Sequence, residues 1–211
     1  MTISLPTLSA LETRILGTLA EKQRTVPDTY PLSINALQAG CNQKTSRNPV
    51  MEASESAIVQ ALEHLEELGL VRRISGGRVS RFEHVLGKTL GVPTQAEALL
   101  VVLMLRGPQT AGELRLNCER LHRFVDISSV EAFLNELAER ESGALVVEMP
   151  RLPGARENRW MHLLAGEPEI SEAAPVRAVA GNAQLEALQA RVEALETALA
   201  ALQAHVFGQA E

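Results

Sequence analysis

A polar, basic run at residues 42–51 carries the side chains best suited to contacting nucleic acid. It contains one lysine, one arginine, three amides and two hydroxyls, and no carboxylate. Such groups hydrogen-bond to phosphates and base edges, or they satisfy the backbone of their own loop. Both interpretations are open from the sequence alone. The candidate contacts in this run are Asn42, Gln43, Lys44, Thr45 and Arg47.

Arginines on a predicted β-hairpin and polar residues at the start of the preceding helix complete this candidate site. A hairpin arginine commonly supports a phosphate or minor-groove contact, although arginines also keep exposed edge strands soluble. The later turns of the helix carry glutamates, which repel phosphates, so only its start could enter a groove. The candidates are Arg72, Arg73, Arg78 and Arg81 on the hairpin, with Ser54, Ser56 and Gln60 on the helix.

The histidines and cysteines form no recognisable metal motif. Cys118 and His122, four residues apart, are the only close pair, and two ligands on one helix without a second cluster make a weak zinc site. Gly76-Gly77 lacks the strand-to-helix context of a phosphate-binding loop, and no serine stands in a nucleophile elbow. We predict that the chain is not an enzyme and that it uses no metal or cofactor.

The elements that would position the candidate residues occur twice. Residues 54–84 read as a helix, a strand, a glycine turn and a returning strand, and residues 128–164 repeat this order. A helix followed by a β-hairpin is the second half of a winged helix, a variant of the helix-turn-helix unit. The repeat therefore predicts two related domains, at residues 1–90 and 91–165.

Capping patterns predict where the first helix of each half begins. Ser9-Ala10-Leu11-Glu12 and Thr94-Gln95-Ala96-Glu97 both match the capping box. Further helices are predicted at residues 32–41 and 111–121, and the apolar run at 98–105 should lie at the centre of its domain. The predicted fold is mainly α with small β-hairpin wings, an α+β protein of two tandem winged helices.

The C-terminal region changes character twice. Residues 166–181 are rich in alanine, proline and acids without periodicity, which is typical of a flexible linker. Residues 182–207 carry an a/d heptad seam, which predicts a coiled coil and a homodimer, although this helix could instead fold back onto its own domains. The seam residues are Leu185, Leu188, Val192, Leu195, Leu199, Leu202 and Val206.

Net charge and cysteine content limit the location and partners of the protein. The net charge is −6, and only residues 1–90 have a positive balance, with ten Lys/Arg against nine Asp/Glu. Phosphate binding favours a basic face, so the acidic total lowers the expectation of DNA binding. Cys41 and Cys118 are expected to be small buried residues rather than a disulfide. No signal peptide or membrane span is apparent, and we expect a cytoplasmic protein.

Several motifs resemble the YceH family of uncharacterised bacterial proteins. They are the runs at residues 30–35 and 41–51, the segment 105–115, the closing Arg159-Trp160-Met161-His162-Leu163 and the C-terminal segment 188–196. The resemblance spans nearly the whole chain. It implies tandem winged-helix domains and no established activity.

Two functions are consistent with this reading. The first is a DNA-binding or transcription-regulatory protein, held as a homodimer by the C-terminal coil so that two first domains reach one duplex. The alternative is a protein-interaction scaffold that makes no DNA contact, because winged helices also serve that role in bacterial condensin accessory subunits, and fold alone does not fix function. The expected partners are a second copy, duplex DNA and a protein client.

Overall fold

The computed structural model describes residues 7–75, 79–151, 154–167 and 191. In this part the chain is a mostly helical α+β protein, and its residues up to 167 belong to one compact unit. The helices are α1 Ala10–Thr25, α2 Ile34–Cys41, α3 Glu55–Glu67, α4 Leu86–Leu90, α5 Thr94–Arg106, α6 Ala111–Asn117 and α7 Ile127–Ala138. The strands are β1 Leu32–Ser33, β2 Val71–Ile74, β3 Arg81–His84, β4 Val146–Met149 and β5 Arg159–His162.

One predicted capping box is present and the other is wrong. At α1, Ser9 Oγ accepts from the Glu12 N–H at 3.2 Å and Glu12 Oε2 accepts from the Ser9 N–H at 2.6 Å, as predicted. At α5 the helix begins at Thr94 itself and no side chain caps it. Glu97 instead accepts a hydrogen bond from the backbone of Gly87.

The two halves repeat the same hairpin register. Val71 lies opposite His84 in β2–β3, and Val146 lies opposite His162 in β4–β5. The arginine three residues before each of these histidines donates to the carbonyl oxygen of a proline that precedes the second helix of its half. The distances are 2.7 Å from Arg81 to Pro31 and 3.0 Å from Arg159 to Pro108. Residues with the same role therefore recur at corresponding positions.

Three elements differ from the sequence prediction. Residues 32–33 form β1, which pairs with β3, because Ser33 caps α2 and delays the helix start to Ile34. The short helix α4 was not predicted. The helix predicted at 111–121 ends at Asn117, where the chain turns.

The buried side chains of the two halves join in one core. Helix α1 packs directly on α5, because Gly17 allows close approach: a Cβ placed there would lie 2.9 Å from Leu105 Cδ2. Residues 98–105 of α5 are all buried, as their uniformly apolar composition predicts. The boundary at residue 90 stays a prediction, since the structure groups both halves in one unit.

Both cysteines are buried free thiols, as expected. Cys41 Sγ lies 3.6 Å from Thr18 Oγ1, and Cys118 Sγ lies 3.6 Å from the Ala98 carbonyl oxygen. Burial raises the pKa of both thiols, that of Cys118 to about 12. Neither thiol is therefore activated as a nucleophile.

Two further expectations concern the C-terminal coiled coil and membrane-spanning helices. The seam of seven apolar residues at 185–206 lies outside the described residues, so the coiled coil stays a prediction. Within the described part, no helix has both the length and the apolar character needed to cross a membrane.

Candidate functional site

The first residue of the polar segment 42–51, Asn42, is hydrogen-bonded to the backbone of Ala53, just before α3. Asn42 Nδ2 donates to the Ala53 carbonyl oxygen at 3.0 Å, and Asn42 Oδ1 accepts from the Ala53 N–H at 2.8 Å. Gln38 Nε2 also donates to the Ala53 carbonyl oxygen, at 3.0 Å. The Asn42 amide therefore hydrogen-bonds the backbone of its own loop. Of the two interpretations left open by the sequence, this is the structural one.

Arg47 is turned into the protein. Its side chain is 0% exposed, and its Nη1 and Nη2 lie 3.1 and 2.6 Å from the two carboxylate oxygens of Glu21 on α1. Its Nε donates to the Gly40 carbonyl oxygen at 3.1 Å. Burial raises the pKa of Glu21, but hydrogen bonds and charge from Arg47 outweigh it, so the pKa is lowered. In this arrangement the guanidinium is not offered to a phosphate.

The rest of the segment is held by both halves of the molecule. The Asn48 N–H donates to the Leu105 carbonyl oxygen at 2.8 Å, and Arg106 Nη2 lies 2.9 Å from Ser46 Oγ. From α1, Arg14 Nη2 donates to the Pro49 carbonyl oxygen at 2.7 Å. Segment 42–51 is thus a junction between α1 and α5.

The tip of the segment faces solvent with uncommitted polar groups. Lys44 and Thr45 are exposed and Gln43 is half-buried. None of the three side chains makes a hydrogen bond or ion pair with another described residue. One lysine is therefore the free cation that this segment contributes to the surface.

The hairpin arginines have partners on their own surface. Arg72 Nη1 lies 3.0 Å from Glu83 Oε1, and Arg73 Nη2 lies 2.7 Å from Glu66 Oε2. Arg81 donates to backbone carbonyls and keeps an uncompensated charge. Exposed pairs contribute only about 0–1 kcal/mol, so a phosphate could displace them, but they remove two positive charges from the local field. Arg78 lies outside the described residues.

The start of α3 is polar, while its surroundings are acidic. Ser54 Oγ accepts from the Ala57 N–H at 3.2 Å and caps the helix, and it lies 3.0 Å from Ser56 Oγ. Gln60 is exposed. The exposed carboxylates on and just before α3 are Glu52, Glu55, Glu63 and Glu67. These outnumber Lys44, so the solvent face of α3 repels phosphates.

The second half has a solvent-facing apolar surface that the sequence did not predict. Exposed apolar side chains gather at the end of α6 and the start of α7: Leu116 is 69% exposed, Val125 86% and Ile127 46%. Arg115, Arg120 and Arg123 lie in the same stretch, and none forms an ion pair with another described residue. The local signal was three arginines against one glutamate in residues 115–123, which the count over the whole half concealed.

His84 and His162 are buried at corresponding positions of the two hairpins. His84 Nε2 lies 2.8 Å from Gln23 Oε1, and its Nδ1 is buried without a described partner, as is Nδ1 of His162. Burial lowers the pKa of each to about 4. In the part of the chain that the structure describes, no three His, Cys, Asp or Glu side chains are grouped to hold a metal ion.

The chain is similar in sequence to a family of bacterial proteins. A family described as "Protein of unknown function, DUF480" matches residues 8–155. A UPF0502 protein of Dechloromonas aromatica is 72% identical over 205 residues, covering 97% of this chain and 96% of the relative. UPF0502 proteins of Burkholderia multivorans and Burkholderia orbicola are 59% and 57% identical over 204 residues, covering 94% of this chain and 86% of each relative. The chain therefore belongs to the DUF480 family, together with these UPF0502 proteins of bacteria.

Proposed function

We propose that the protein is a tandem winged-helix interaction module whose main partner is another protein rather than DNA. The proposal rests on one observation: most of the described arginines that were candidates for DNA contact are already paired with carboxylates of the same chain. Arg47 is buried against Glu21, Arg72 and Arg73 are paired with Glu83 and Glu66, and carboxylates surround α3. This reverses the order of the two functions favoured by the sequence.

The winged-helix part of the proposal is supported by the order of elements in each half. Helices α1, α2 and α3 are followed by β2–β3, and α5, α6 and α7 are followed by β4–β5. In both halves the last helix of the three precedes an antiparallel hairpin, which is the winged-helix order. The resemblance to the YceH family implies the same arrangement.

The electrostatic part follows from what binding to a duplex requires. A protein gains affinity for DNA by neutralising phosphates with lysines and arginines that release counterions. An arginine already paired with a carboxylate brings no net charge, and an unpaired carboxylate nearby opposes the phosphate. The face formed by α3 and segment 42–51 therefore gains little from this effect.

Duplex DNA remains the second candidate because of one observation. The tip at Gln43, Lys44 and Thr45 is polar and uncommitted, and Arg81 keeps an uncompensated charge on the hairpin. Together with Ser54, Ser56 and Gln60 they form the reduced set of contacts that a duplex could use. Such a set gives weak binding that is lost at moderate salt.

Fluorescence anisotropy with a labelled duplex at low salt separates the two functions. We expect no saturable binding by the full chain. The proposal fails if binding saturates, if it weakens steeply as salt rises, and if Lys44→Ala with Arg81→Ala flattens that dependence. Lys88→Ala is the matched control, since Lys88 is an exposed cation on α4 that is not among the candidate contacts.

We further propose that the protein is a cytoplasmic homodimer joined by the seam at residues 185–206. The support is the sequence pattern, in which apolar residues alternate at steps of three and four. A dimer would present two copies of each half to one client, which raises the effective concentration of the second contact.

A further inference from the structure

The outer edge of β4 in the second hairpin has backbone groups that can pair with another strand. The Leu163 N–H donates to the Leu145 carbonyl oxygen at 2.8 Å, so these two residues form a hydrogen-bonded pair next to the β4–β5 ladder. Hydrogen-bonded and non-hydrogen-bonded pairs alternate along an antiparallel ladder. Val147 lies two residues after Leu145 and therefore bonds to β5. The N–H and C=O groups of Val146 and Glu148 point away from β5.

The opposite edge of the same hairpin is already occupied. Trp160 donates to the Gln109 carbonyl oxygen at 2.7 Å and accepts from the Gln109 N–H at 3.1 Å, which closes the outer side of β5. On the β4 side, no described residue hydrogen-bonds the backbone of Val146 or Glu148. An open edge of this kind is a template for the backbone of another extended segment. The occupant that fits is therefore an extended polypeptide.

A second copy of β4 fits this edge in a symmetric register. Two antiparallel β4 strands that centre on Val147 place Val146 of each copy opposite Glu148 of the other copy. The N–H and C=O groups that both edges leave open are then paired. The two Glu148 side chains are not directly opposed, since each lies opposite a valine. The result is a four-stranded sheet in the order β5–β4–β4–β5, and a two-stranded hairpin gains stability from added strands.

The first hairpin shows why this register suits β4 and not β2. The Val85 N–H donates to the Leu70 carbonyl oxygen at 2.9 Å, so the same alternation leaves Val71 and Arg73 on the open edge of β2. Symmetric pairing of two β2 strands would place Arg72 directly opposite Arg72 of the second copy. Like charges in that position are destabilising. In β4 the corresponding residue is a valine, which would meet an identical apolar side chain.

Charge and burial differ between the two hairpins in the same sense. Residues 71–84 carry four arginines and one glutamate, whereas residues 146–162 carry three arginines and two glutamates. Val147, Met149 and Met161 share the outer face of the second hairpin and are half-buried there. Two copies of the second hairpin would therefore meet with little repulsion and with apolar side chains at the centre of the contact.

We infer that the edge of β4 pairs with the same edge of a second copy of this chain, in the register that centres on Val147. This contact deepens the proposed homodimer and rests on it. A contact of two short strands is small, and the seam at residues 185–206 supplies the effective concentration that it needs. The pairing sets the second halves of two chains side by side.

Cysteine cross-linking of the full chain reads this register directly. Val147→Cys creates a non-hydrogen-bonded antiparallel pair whose Cα atoms lie about 4.5 Å apart, within the range of about 4.4–6.8 Å that a disulfide spans. Met149→Cys is the matched control, because Met149 is half-buried on the same face. The register separates the two copies of position 149 by about 14 Å along the strands.

We expect Val147→Cys to form a disulfide-linked dimer under mild oxidation about tenfold faster than Met149→Cys. Val79→Cys places a thiol at an exposed position of the first half and measures chance collisions. The native thiols of Cys41 and Cys118 are buried and should contribute little.

A proline at the edge separates pairing between chains from the stability of the hairpin itself. The Glu148 N–H is not used by β5, and proline is tolerated on an edge strand where its missing N–H would face outward. Glu148→Pro added to Val147→Cys removes one donor from each copy, so cross-linking should slow by about tenfold. Thermal denaturation of the same variant shows that the fold is retained.

The outcomes separate the edge contact from the homodimer. A chain that sediments as a dimer while Val147→Cys cross-links no faster than Met149→Cys or Val79→Cys would overturn the inference and leave the homodimer standing. An unchanged rate in a folded Glu148→Pro variant would overturn it as well. A cross-link from position 147 to a different protein in a cell extract, in place of the second copy, would make a client strand the occupant. A chain that sediments as a monomer would refute the homodimer and this contact together.

Discussion

Arg47 and Glu21 form a two-pronged ion pair, with Nη1 and Nη2 of the arginine 3.1 and 2.6 Å from the two carboxylate oxygens. The pair joins segment 42–51 to α1, and the arginine side chain is fully buried. An arginine that the sequence offered as a DNA contact thus stabilises the protein interior. We expect Arg47 to matter for stability and not for binding.

Removing one partner of this pair should destabilise the protein strongly. Arg47→Ala leaves Glu21 with only Lys22, whose Nζ lies 3.4 Å from Glu21 Oε2, and breaking a buried pair costs about 3–5 kcal/mol. Arg47→Lys should rescue little, because an ammonium cannot contact both carboxylate oxygens and the Gly40 carbonyl together. Urea denaturation measures both variants. Arg72→Ala is the control and should cost about 0–1 kcal/mol, since its pair is exposed; equal losses for Arg47→Ala and Arg72→Ala would contradict the account.

Stability should fall as the pH is lowered through 6.5. His84 and His162 have pKa values of about 4 in the folded state because burial disfavours their charged form, against 6.5 when unfolded. Below pH 6.5 the unfolded chain binds protons that the folded chain does not, so stability is complete above pH 6.5 and is lost progressively toward pH 4. Each shift corresponds to about 3 kcal/mol at most.

Denaturation at pH 7 and pH 5 checks this dependence. The carboxylates Glu12 and Glu21, whose pKa values are lowered, contribute mainly at lower pH. A His162→Gln variant should lose part of the difference between the two pH values. A stability that is flat from pH 7 to pH 5 would show that the histidines are not held neutral.

Two glycines should respond to substitution in opposite ways. Gly107 has φ +75° and lies where segment 42–51 meets the end of α5, so Gly107→Ala should cost about 1–3 kcal/mol through backbone strain. Gly112 lies within α6 with 3.8 Å to its nearest contact. Gly112→Ala should be neutral or stabilise by about 0.5–1 kcal/mol. Thermal denaturation of both variants measures the two effects. An equal change in stability for Gly107→Ala and Gly112→Ala would contradict the backbone conformation described at these positions.

A larger side chain at position 17 should affect both halves together. Gly17→Val places atoms where Leu105 already lies 2.9 Å from a Cβ position, and overpacking costs about 1–3 kcal/mol. Because α1 and α5 share this contact, we expect a single cooperative transition that moves to lower denaturant. Two separate transitions, with only one displaced, would show that the halves fold independently.

Deletion of residues 182–211 should lower the mass measured by sedimentation. The apolar seam at 185–206 is expected to join two chains, so its loss should convert a dimer into a monomer. An unchanged mass would mean that this helix packs within its own chain.

Local signals predicted the elements well because they act over a few residues. Ser9 and Ser54 cap their helices as expected, and Gly69 takes a positive φ of 66° after α3. The apolar run at 98–105 correctly indicated a central helix. At Thr94 the same kind of signal failed. Glu97 accepts a hydrogen bond from the Gly87 backbone instead of from the start of its own helix, and the local sequence does not reveal this contact.

The fate of charged side chains depends on partners far away in sequence. Glu21 and Arg47 are separated by 26 residues, and no periodicity in the sequence predicts their contact. The composition of segment 42–51 therefore could not distinguish a DNA contact from a buried junction. The exposed apolar side chains at the end of α6 and the start of α7 were missed for a related reason. The exposure of Val125 and Leu116 is set by packing, whereas the sequence shows only that both residues are apolar.

The claim that the main partner is a protein is tested most directly by the effect of nuclease on the complex that this chain forms in its native cells. Gentle cross-linking followed by size measurement, with and without nuclease, compares the two partner classes in one experiment. We predict a complex larger than the homodimer whose size does not change on nuclease treatment. A complex that collapses to the homodimer once nucleic acid is digested would contradict the claim that the main partner is a protein.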